Sequence, residues 1–203
     1  MSSTGVTIFP ATPERWSDVA AVFEDGGHAR KCWCAYWYRS NKDYRAGLDG
    51  PNKACFEKLV ADNREPGIIA YVDGEPAGWL SVAPRTRFDR LNRSKPLAPV
   101  DGEPVWAMNC FIVRKKFRRQ GLVRQLIRGG IDFVRERGGL VVEAYPVDQG
   151  GGRTNVYDAF LGTVGAFAEH GFVEVARRLQ RRPILRLEFD KAKKGAEVIR
   201  ASF

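Results

Sequence analysis

The chain has 203 residues, of which 44% are hydrophobic and 28% are charged. This balance is typical of an ordered globular protein and excludes a disordered chain. The length can enclose a full core, so we expect one domain over 1–203, with its core at 5–189 and a basic tail at 190–203. The N-terminus lacks a secretory pattern, and no apolar run reaches ~18 residues. We therefore expect a cytoplasmic protein with no membrane partner and with four reduced cysteines.

The net charge of +9, from 33 basic and 24 acidic residues, suggests a polyanionic partner. The basic residues concentrate at 114–137 and again at 177–194. Neither stretch carries the interleaved aromatic residues of a surface that stacks single-stranded nucleic acid. A small ligand with several phosphates is therefore the stronger expectation, and a nucleic acid the weaker one.

The first half of the chain shows alternating and helical patterns separated by turn residues. Pro13 opens a helical pattern, and Asp73-Gly74 is a strong hairpin signal between two apolar runs. In chain order we predict a strand over 6–9, a helix from Pro13, an irregular segment over 26–51, a helix over 52–63, hairpin strands over 67–72 and 76–82, and a polar loop over 84–104.

The second half is dominated by one long apolar run and one sharply amphipathic helix. Gly138-Gly139 is a normal helix end. We predict a strand over 105–113, a helix from 122 to 137, a strand over 140–144, a helix over 156–170, and two strands over 172–177 and 184–189. Such an order favours a mixed sheet with helices on both faces.

Residues 113–123 (V-R-K-K-F-R-R-Q-G-L-V) join the long strand to the amphipathic helix. A turn in this place aims backbone N–H groups and the positive end of the helix dipole at one spot, which suits an anion. The spacing excludes the G-x-x-x-x-G-K-[ST] phosphate loop, and a dinucleotide fold needs three glycines where this turn has one. What remains is R-x-x-G-x-[small], with Arg118, Gly121 and Val123 at its fixed positions.

This segment resembles the pyrophosphate-binding turn of the GNAT superfamily of acetyl-CoA-dependent N-acetyltransferases, and 156–178 resembles a second motif of that family. The resemblance implies an α/β (α+β) fold with a mixed, mostly antiparallel sheet of about seven strands and helices on both faces. It implies acetyl-CoA or a related acyl-CoA as cofactor, with pantetheine along the long strand and pyrophosphate on the turn. The implied cofactor contacts are Phe111, Ile112, Val113, Arg118, Arg119, Gln120, Gly121, Leu122 and Val123.

The sequence departs from the family pattern at three positions. Val123 stands where Gly or Ala is common, and Ala107 stands where some members place a base. Phe167 stands where many members have the tyrosine that protonates the leaving thiolate, and a phenyl ring cannot donate a proton. Tyr157, ten residues earlier on the same predicted helix, is the nearest hydroxyl candidate.

An amine must lose its proton before it can attack a thioester, so the expected reaction needs a base. Glu143 lies in an otherwise apolar strand, where burial would raise its pKa, and pairing with an arginine on the sheet face is the alternative. Asn109 could orient substrate or a water, or satisfy a strand bulge. Of the two histidines, His170 is expected to cap a helix.

The segment 31–38 (K-C-W-C-A-Y-W-Y) has the most unusual composition in the chain. C-x-C lacks the spacing of a zinc site, so we expect no metal. A reactive cysteine would need a base, and His28 is the nearest one in sequence. The resemblance places the acceptor side here, so Trp33, Cys34, Trp37 and Tyr38 are expected to line the pocket or to cage a cation, with core packing as the alternative.

The expected function is transfer of an acetyl group from acetyl-CoA to a primary amine, by direct attack in a ternary complex. The acceptor is a small-molecule amine or a peptide N-terminus, and a homodimer is left open. Three alternatives remain: transfer of a longer acyl group, a degenerate sensor that binds acyl-CoA without turnover, and a basic nucleic-acid-binding protein.

Overall fold

A single seven-stranded sheet forms the centre of the molecule in the computed structural model, which describes residues 5–25, 27–150 and 157–189. The strand order across the sheet is β1-β2-β3-β4-β5-β7-β6, and only the pair β4–β5 is parallel. This confirms the mixed, mostly antiparallel sheet; the predicted tail 190–203 lies outside the described residues. The strands are β1 (Val6–Pro10), β2 (Gly67–Val72), β3 (Glu75–Pro84), β4 (Trp106–Val113), β5 (Val141–Ala144), β6 (Val173–Leu179) and β7 (Arg182–Glu188).

The described helices range from one turn to four turns. Short 3-10 helices also occur at Pro13–Arg15, Arg85–Arg87, Lys115–Phe117 and Asp158–Phe160. Within this part of the chain, no helix combines the length and the apolar character that a membrane span requires. The α-helices are α1 (Trp16–Glu24), α2 (Ala29–Cys32), α3 (Ala35–Tyr38), α4 (Asn41–Ala46), α5 (Pro51–Ala61), α6 (Asp89–Asn92), α7 (Leu122–Glu136) and α8 (Val164–Ala168).

Helices cover both faces of the sheet, as the sequence predicted. Along β2, Ile69 joins the core on the side of α1 and α5, whereas its neighbours Ile68 and Ala70 join the core beneath α7 and α8. The predicted apolar face of α7 is buried, with Leu126 and Ile127 fully enclosed. The sheet thus separates two layers. One layer carries the basic turn at 113–123, and the other carries the aromatic segment at 31–38.

The predicted hairpin is present and turns at Asp73-Gly74. Both residues have positive φ, 48° and 80°, which is the conformation that a two-residue hairpin turn of this twist needs. The two strands pair from Gly67–Ser81 to Val72–Glu75. Local turn chemistry therefore set this register in the way the sequence predicted.

The prediction that 26–51 is irregular was wrong, because the segment holds the short helices α2, α3 and α4. A buried asparagine at the start of α5 organises them. The Asn52 amide nitrogen donates to the carbonyls of Lys31 and Tyr44, both at 3.1 Å, and its oxygen accepts from Arg39 at 2.9 Å. One-turn helices leave no periodicity to read, and a tertiary contact like this has no local signal.

The predicted continuous helix over 156–170 was also wrong; its first residue, Val156, lies outside the described part. The chain instead forms the 3-10 helix at Asp158–Phe160, then breaks at Gly162, which has a φ of 73°. Thr163 starts α8 as its N-cap, with its hydroxyl oxygen accepting from the Ala166 N–H. A capping residue after a glycine is a helix start signal, and here it outweighs the apolar periodicity.

Candidate active site

The sheet opens between β4 and β5. Parallel pairing joins only Trp106–Met108 to Val142–Ala144. Beyond that point, 109–113 have no strand partner on the β5 side among the described residues. A bulge coincides with the separation, because Ser81 pairs with Cys110 and Val82 with Met108, which leaves Asn109 as the extra residue. The result is a cleft at the carboxyl ends of the two parallel strands.

The side chain of Asn109 lies at this bulge and is buried, with 1% exposure. Neither its amide oxygen nor its amide nitrogen has a hydrogen-bond partner within the described residues. Leaving such groups unpaired costs about 1–3 kcal/mol each, so buried amides are nearly always satisfied. Asn109 is therefore a group that a ligand or a bound water would satisfy.

The basic turn leads from β4 into α7 by a fixed path. Arg119 and Gly121 both have positive φ, 61° and 77°, and Gly121 is the N-cap of the 15-residue helix. The Arg118 Nε donates to the Val113 carbonyl at 3.0 Å, and the Gln120 side-chain amide donates to the Lys116 carbonyl at 2.8 Å. These two contacts hold the turn against the end of the strand.

The backbone N–H groups of 119–123 donate no hydrogen bond to any other described group. Free amides in a turn with left-handed residues, followed by a helix N-terminus, form a concave anion site. A Cβ added to Gly121 would meet nothing within 4 Å, so the glycine serves the positive φ and the space in front of it is open. Val123, the unusual residue of the motif, is half-buried against the core beneath α7.

A cavity of roughly 370 Å³ lies on the opposite face of the sheet, where β4 contributes Cys110 and Ile112. The other walls come from the short helices α2–α4, the loop after α6, the 3-10 helix at Asp158–Phe160 and the β6–β7 hairpin. Its aromatic side chains are Tyr36, Trp37, Tyr44, Tyr157 and Phe160. The volume is at the small end of the range for ligand pockets, ~300–1,000 Å³.

The cavity contains two of the four predicted pocket residues, Cys34 and Trp37. The prediction for the other two needs correction. Trp33 stacks on Phe23 with ring centroids 5.0 Å apart, and Tyr38 packs on Phe88 at the same distance, so both belong to the core. Trp33 follows α2 as its C-cap and Tyr38 is the last residue of α3, and the inward faces of such one-turn helices could not be assigned from spacing alone.

Burial disfavours the thiolate form of two cysteines at the cavity, Cys32 and Cys34. Burial raises the pKa of Cys32 to about 11 and that of Cys34 well above its ordinary value. Since the thiolate is the nucleophilic form, neither is a reactive cysteine at neutral pH. Among the described residues, no group of three or more His, Cys, Asp or Glu side chains is arranged to hold a metal ion.

His28 also lines the cavity. From the sequence it was a candidate only as the base that a reactive cysteine would need. Its Nε2 lies 3.3 Å from the Tyr44 hydroxyl oxygen, and its ring meets that of Tyr157 edge-on at 4.9 Å. Burial, and secondly the charge of Lys31, lower the pKa of His28 below its ordinary 6.5. The imidazole is therefore neutral at pH 7 and keeps a lone pair. His170, by contrast, bonds the Ala166 carbonyl at the end of α8, which confirms the expected cap.

Glu143 does not face the cavity and is fully engaged. It is 1% exposed; one carboxylate oxygen lies 2.8 Å from Arg186 Nη2, and the other accepts from the Tyr145 hydroxyl at 2.8 Å. Arg85 adds a second cation at 3.7 Å. The alternative reading, an arginine pair on the sheet, is what the structure shows, and it speaks against Glu143 as the base.

The aromatic residue that replaces the usual tyrosine is enclosed. Phe167 has no exposure and packs against Phe111 at 5.8 Å and Phe172 at 5.0 Å. Tyr157 does not share a helix with it, contrary to the prediction, because the chain breaks at Gly162. Tyr157 lies instead at the cavity, 60% exposed.

The model of the acetyltransferase (GNAT) family matches residues 28–162, more than half of the chain. The chain belongs to this family. It is therefore an acyltransferase by family. No curated protein matches the chain in sequence.

Solved structures share the fold of this GNAT chain at low sequence identity. An acetyltransferase of the GNAT family from Streptococcus agalactiae is 14% identical, with 92% of this chain and 97% of that chain covered and a TM-score of 0.56. The putative acetyltransferase yncA from Salmonella typhimurium, solved with acetyl-CoA, is 17% identical (93% and 96% covered, TM-score 0.53). The PaiA N-acetyltransferase from Thermoplasma acidophilum, solved with coenzyme A, is 10% identical (91% and 99% covered, TM-score 0.52).

Proposed function

We propose that this GNAT protein transfers an acetyl group from acetyl-CoA to a primary amine of a small acceptor, by direct attack in a ternary complex. The observation that carries the proposal is that residues 109–113 of β4 have no strand partner on the β5 side among the described residues. The free amides of the turn follow it at one end, and the cavity at Cys110 and Ile112 borders its other face. The complexes of similar fold with coenzyme A and acetyl-CoA support the same choice of cofactor.

The residues present fit acetyl-CoA. The amides of 119–123 would hold the pyrophosphate, with charge from Arg118 and Arg119, and the free edge of β4 would take the pantetheine arm. The unpartnered amide of Asn109 would hydrogen-bond to the ligand where the strands separate. When bound, acetyl-CoA supplies a thioester carbonyl carbon: the amine nitrogen bonds to it, the C–S bond breaks, and an amide and a free thiol result.

His28 is the base that the geometry favours. Its neutral imidazole accepts the proton that the amine loses, and the hydrogen bond with Tyr44 fixes the ring in the cavity. Phe167 has no proton to give, so the proton for the departing sulfur comes from solvent at the open cleft. The exposed Tyr157 meets the His28 ring edge-on and helps to orient it.

Calorimetry of acetyl-CoA with a matched pair of variants tests the cofactor site. Asn and Asp both tolerate the left-handed conformation at position 121, and the space there is open to either. We expect wild type to bind with micromolar affinity, about −8 kcal/mol. Gly121→Asn should retain most of it, whereas Gly121→Asp should lose it, because a carboxylate would face the phosphates.

Two results would contradict the cofactor site: equal affinities for the Asp and Asn variants, or no binding to a folded wild type. Free-thiol release with a panel of amines then separates an enzyme from a sensor, which would bind acetyl-CoA without releasing thiol. Steeply salt-dependent binding of DNA or RNA without affinity for coenzyme A would instead indicate the nucleic-acid alternative.

A further inference from the structure

Two arginines line the candidate acceptor cavity, Arg90 and Arg182. The Arg90 guanidinium lies over the Tyr36 ring, 3.8 Å from its centroid, and its Nε donates to the Tyr36 carbonyl. Its Nη2 is buried and has no hydrogen-bond partner within the described residues. Tyr36 and Arg182 line the same cavity.

Arg182 differs from the other arginines of the β6–β7 hairpin. Arg177 pairs with Glu174 and Asp148, and Arg181 lies 3.7 Å from Asp158. Arg182 has no carboxylate within ion-pair distance in the described part of the chain, and its Nε and Nη2 are both buried without a hydrogen-bond partner there. Burial lowers the pKa of Arg182 below its usual range, and the more distant charge of Asp158 opposes this effect only in part.

This arrangement is costly unless an anion is present. A buried guanidinium keeps its charge at neutral pH, and each unsatisfied donor costs free energy. Among the described residues of the cavity wall the acidic one is Asp158, and its carboxylate lies 3.7 Å from Arg181, an arginine outside the wall. The guanidinium groups of Arg90 and Arg182 thus both belong to the cavity wall, and three of their nitrogens have no hydrogen-bond partner within the described residues.

We propose that the acceptor is an amine-bearing carboxylic acid with an apolar body, and that Arg90 and Arg182 bind its carboxylate. The proposal rests on the proposed acetyl transfer and names its substrate class. Leu97, Leu161 and Phe160 surround the apolar body, and the amine is left to point at the unpaired edge of β4 near Cys110. The carboxylate takes no part in the bond changes; it fixes the orientation in which the amine attacks.

The contacts of Arg90 and Arg182 disfavour acceptor amines that carry extra positive charge or a phosphate group. A polyamine would bring more positive charge to two uncompensated arginines, and Arg90 already occupies the Tyr36 face that could hold a cation. A guanidinium fork binds carboxylate or phosphate in two parallel hydrogen bonds. The mainly apolar wall favours the singly charged carboxylate, because desolvating a dianion costs more.

The test compares amine-bearing acids with their carboxamide analogues, and it measures the release of free thiol from acetyl-CoA. The panel contains leucine, phenylalanine, 6-aminohexanoate and 4-(aminomethyl)benzoate, each beside its carboxamide, with spermidine and O-phosphoethanolamine added. We expect at least one acid to exceed its carboxamide in kcat/KM by about 10- to 100-fold, the usual worth of a charged hydrogen bond. Spermidine and O-phosphoethanolamine should react no better than the carboxamides.

Variants test whether Arg182 causes the preference for acids over carboxamides. In Arg182→Gln the ratio of acid to carboxamide should fall towards one, and Arg182→Lys, which keeps the charge without the fork, should retain part of it. Arg128→Gln, an exposed residue on α7, makes the same change in net charge outside the cavity and should leave the ratio as in wild type.

Binding of the N-acetylated acids and N-acetylated carboxamides, followed by NMR without cofactor, separates this inference from the proposed function. If the protein releases thiol with acids and carboxamides equally, acetyl transfer stands and the carboxylate site is overturned. If no amine releases thiol but the N-acetylated acids bind and lose affinity in Arg182→Gln, the carboxylate site stands and acetyl transfer falls. A preference for O-phosphoethanolamine, or acids that neither react nor bind, would also overturn the inference.

Discussion

Two buried asparagines have opposite environments. Asn52 uses both its amide nitrogen and its oxygen in hydrogen bonds that tie α2 and α4 to α5. Asn109 uses neither within the described residues, although it is equally buried. Since native proteins rarely leave a buried amide unpaired, Asn52 is explained by the fold, whereas Asn109 needs a ligand or a bound water. Residue type and burial are the same, and only the hydrogen-bond partners distinguish the two residues.

His28→Gln tests the proposed base. With an acceptor that wild type acetylates, kcat should fall by about 100-fold, the usual contribution of a positioned base. The wild-type kcat should fall as pH drops below about 6.5, because burial lowers the pKa of His28 and only the neutral ring accepts a proton. The variant should lose this acid limb. The measurement is a pH profile of thiol release at saturating substrate.

Tyr44→Phe is the companion variant, because it removes only the hydroxyl that contacts His28. It should lower kcat moderately and keep an acid limb. An unchanged profile in His28→Gln would show that the imidazole is not the base, whatever the change in rate.

At the scale of elements, a buried charge network joins the polar loop after β3 to the sheet. Arg85 donates to the carbonyls of Leu91 and Leu97 in the loop and to the Tyr145 hydroxyl. Tyr145 donates to Glu143 on β5, which pairs with Arg186 on β7. Arg186 in turn binds Asp101 near the end of the same loop. Because Leu97 forms part of the cavity wall, this network sets the position of that wall.

Glu143→Gln should therefore destabilise the protein and not act as the loss of a base. Removing one partner of a buried ion pair leaves charge uncompensated, and here two arginines lose it, which costs about 3–5 kcal/mol. Glu188→Gln is the matched control, because Glu188 contacts the same Arg186 at 3.6 Å from an exposed position and should cost less than about 1 kcal/mol. Urea unfolding measures both. A stable Glu143→Gln protein with lost kcat would reverse the assignment.

Elements whose sequence signals are local could be predicted, whereas features that depend on tertiary packing could not. The β2–β3 hairpin and α7 were predicted well, because Asp73-Gly74 and the apolar stripe act locally. The turn at 118–123 was predicted for the same reason. The candidate acceptor cavity was predicted only in part, through Cys34 and Trp37, because Arg182, His28 and Tyr44 come from separate segments that only tertiary packing brings together. The role of Glu143 could not be decided from the sequence, because a single carboxylate in an apolar strand is expected both for a buried base and for one partner of a buried ion pair.

At the scale of the whole molecule, the excess positive charge is divided between paired and unpaired arginines. Arg124 pairs with Glu169 across α7 and α8, and Arg177 pairs with Glu174 on its own strand. Within the described residues, Arg90 and Arg182 in the cavity and Arg118 and Arg119 in the turn form no ion pair, so their positive charge would be available to the ligands proposed above.

The paired and buried groups together predict a stability maximum between about pH 6.5 and pH 9. Hydrogen bonds from Arg124 and Arg177 lower the pKa of Glu169 and Glu174, so their contribution is present above pH 4.5 and is lost as pH falls further. The lowered pKa of His28 adds a loss that begins below 6.5, because the unfolded chain takes up that proton first. Burial raises the pKa of Cys32 from 9.0 to about 11, so its contribution is lost as pH rises through that interval.

Urea unfolding from pH 3 to pH 11, with and without 1 M NaCl, checks this profile. Salt should weaken the dependence at acid pH, because the pairs of Glu169 and Glu174 are exposed and are screened. It should leave the alkaline limb nearly unchanged, because that limb comes from desolvation of buried thiols such as Cys32. Cys32→Ser, whose hydroxyl does not ionise in this range, should reduce the alkaline loss. An alkaline limb that salt abolishes would instead show that surface charge repulsion, and not thiol burial, limits stability at high pH.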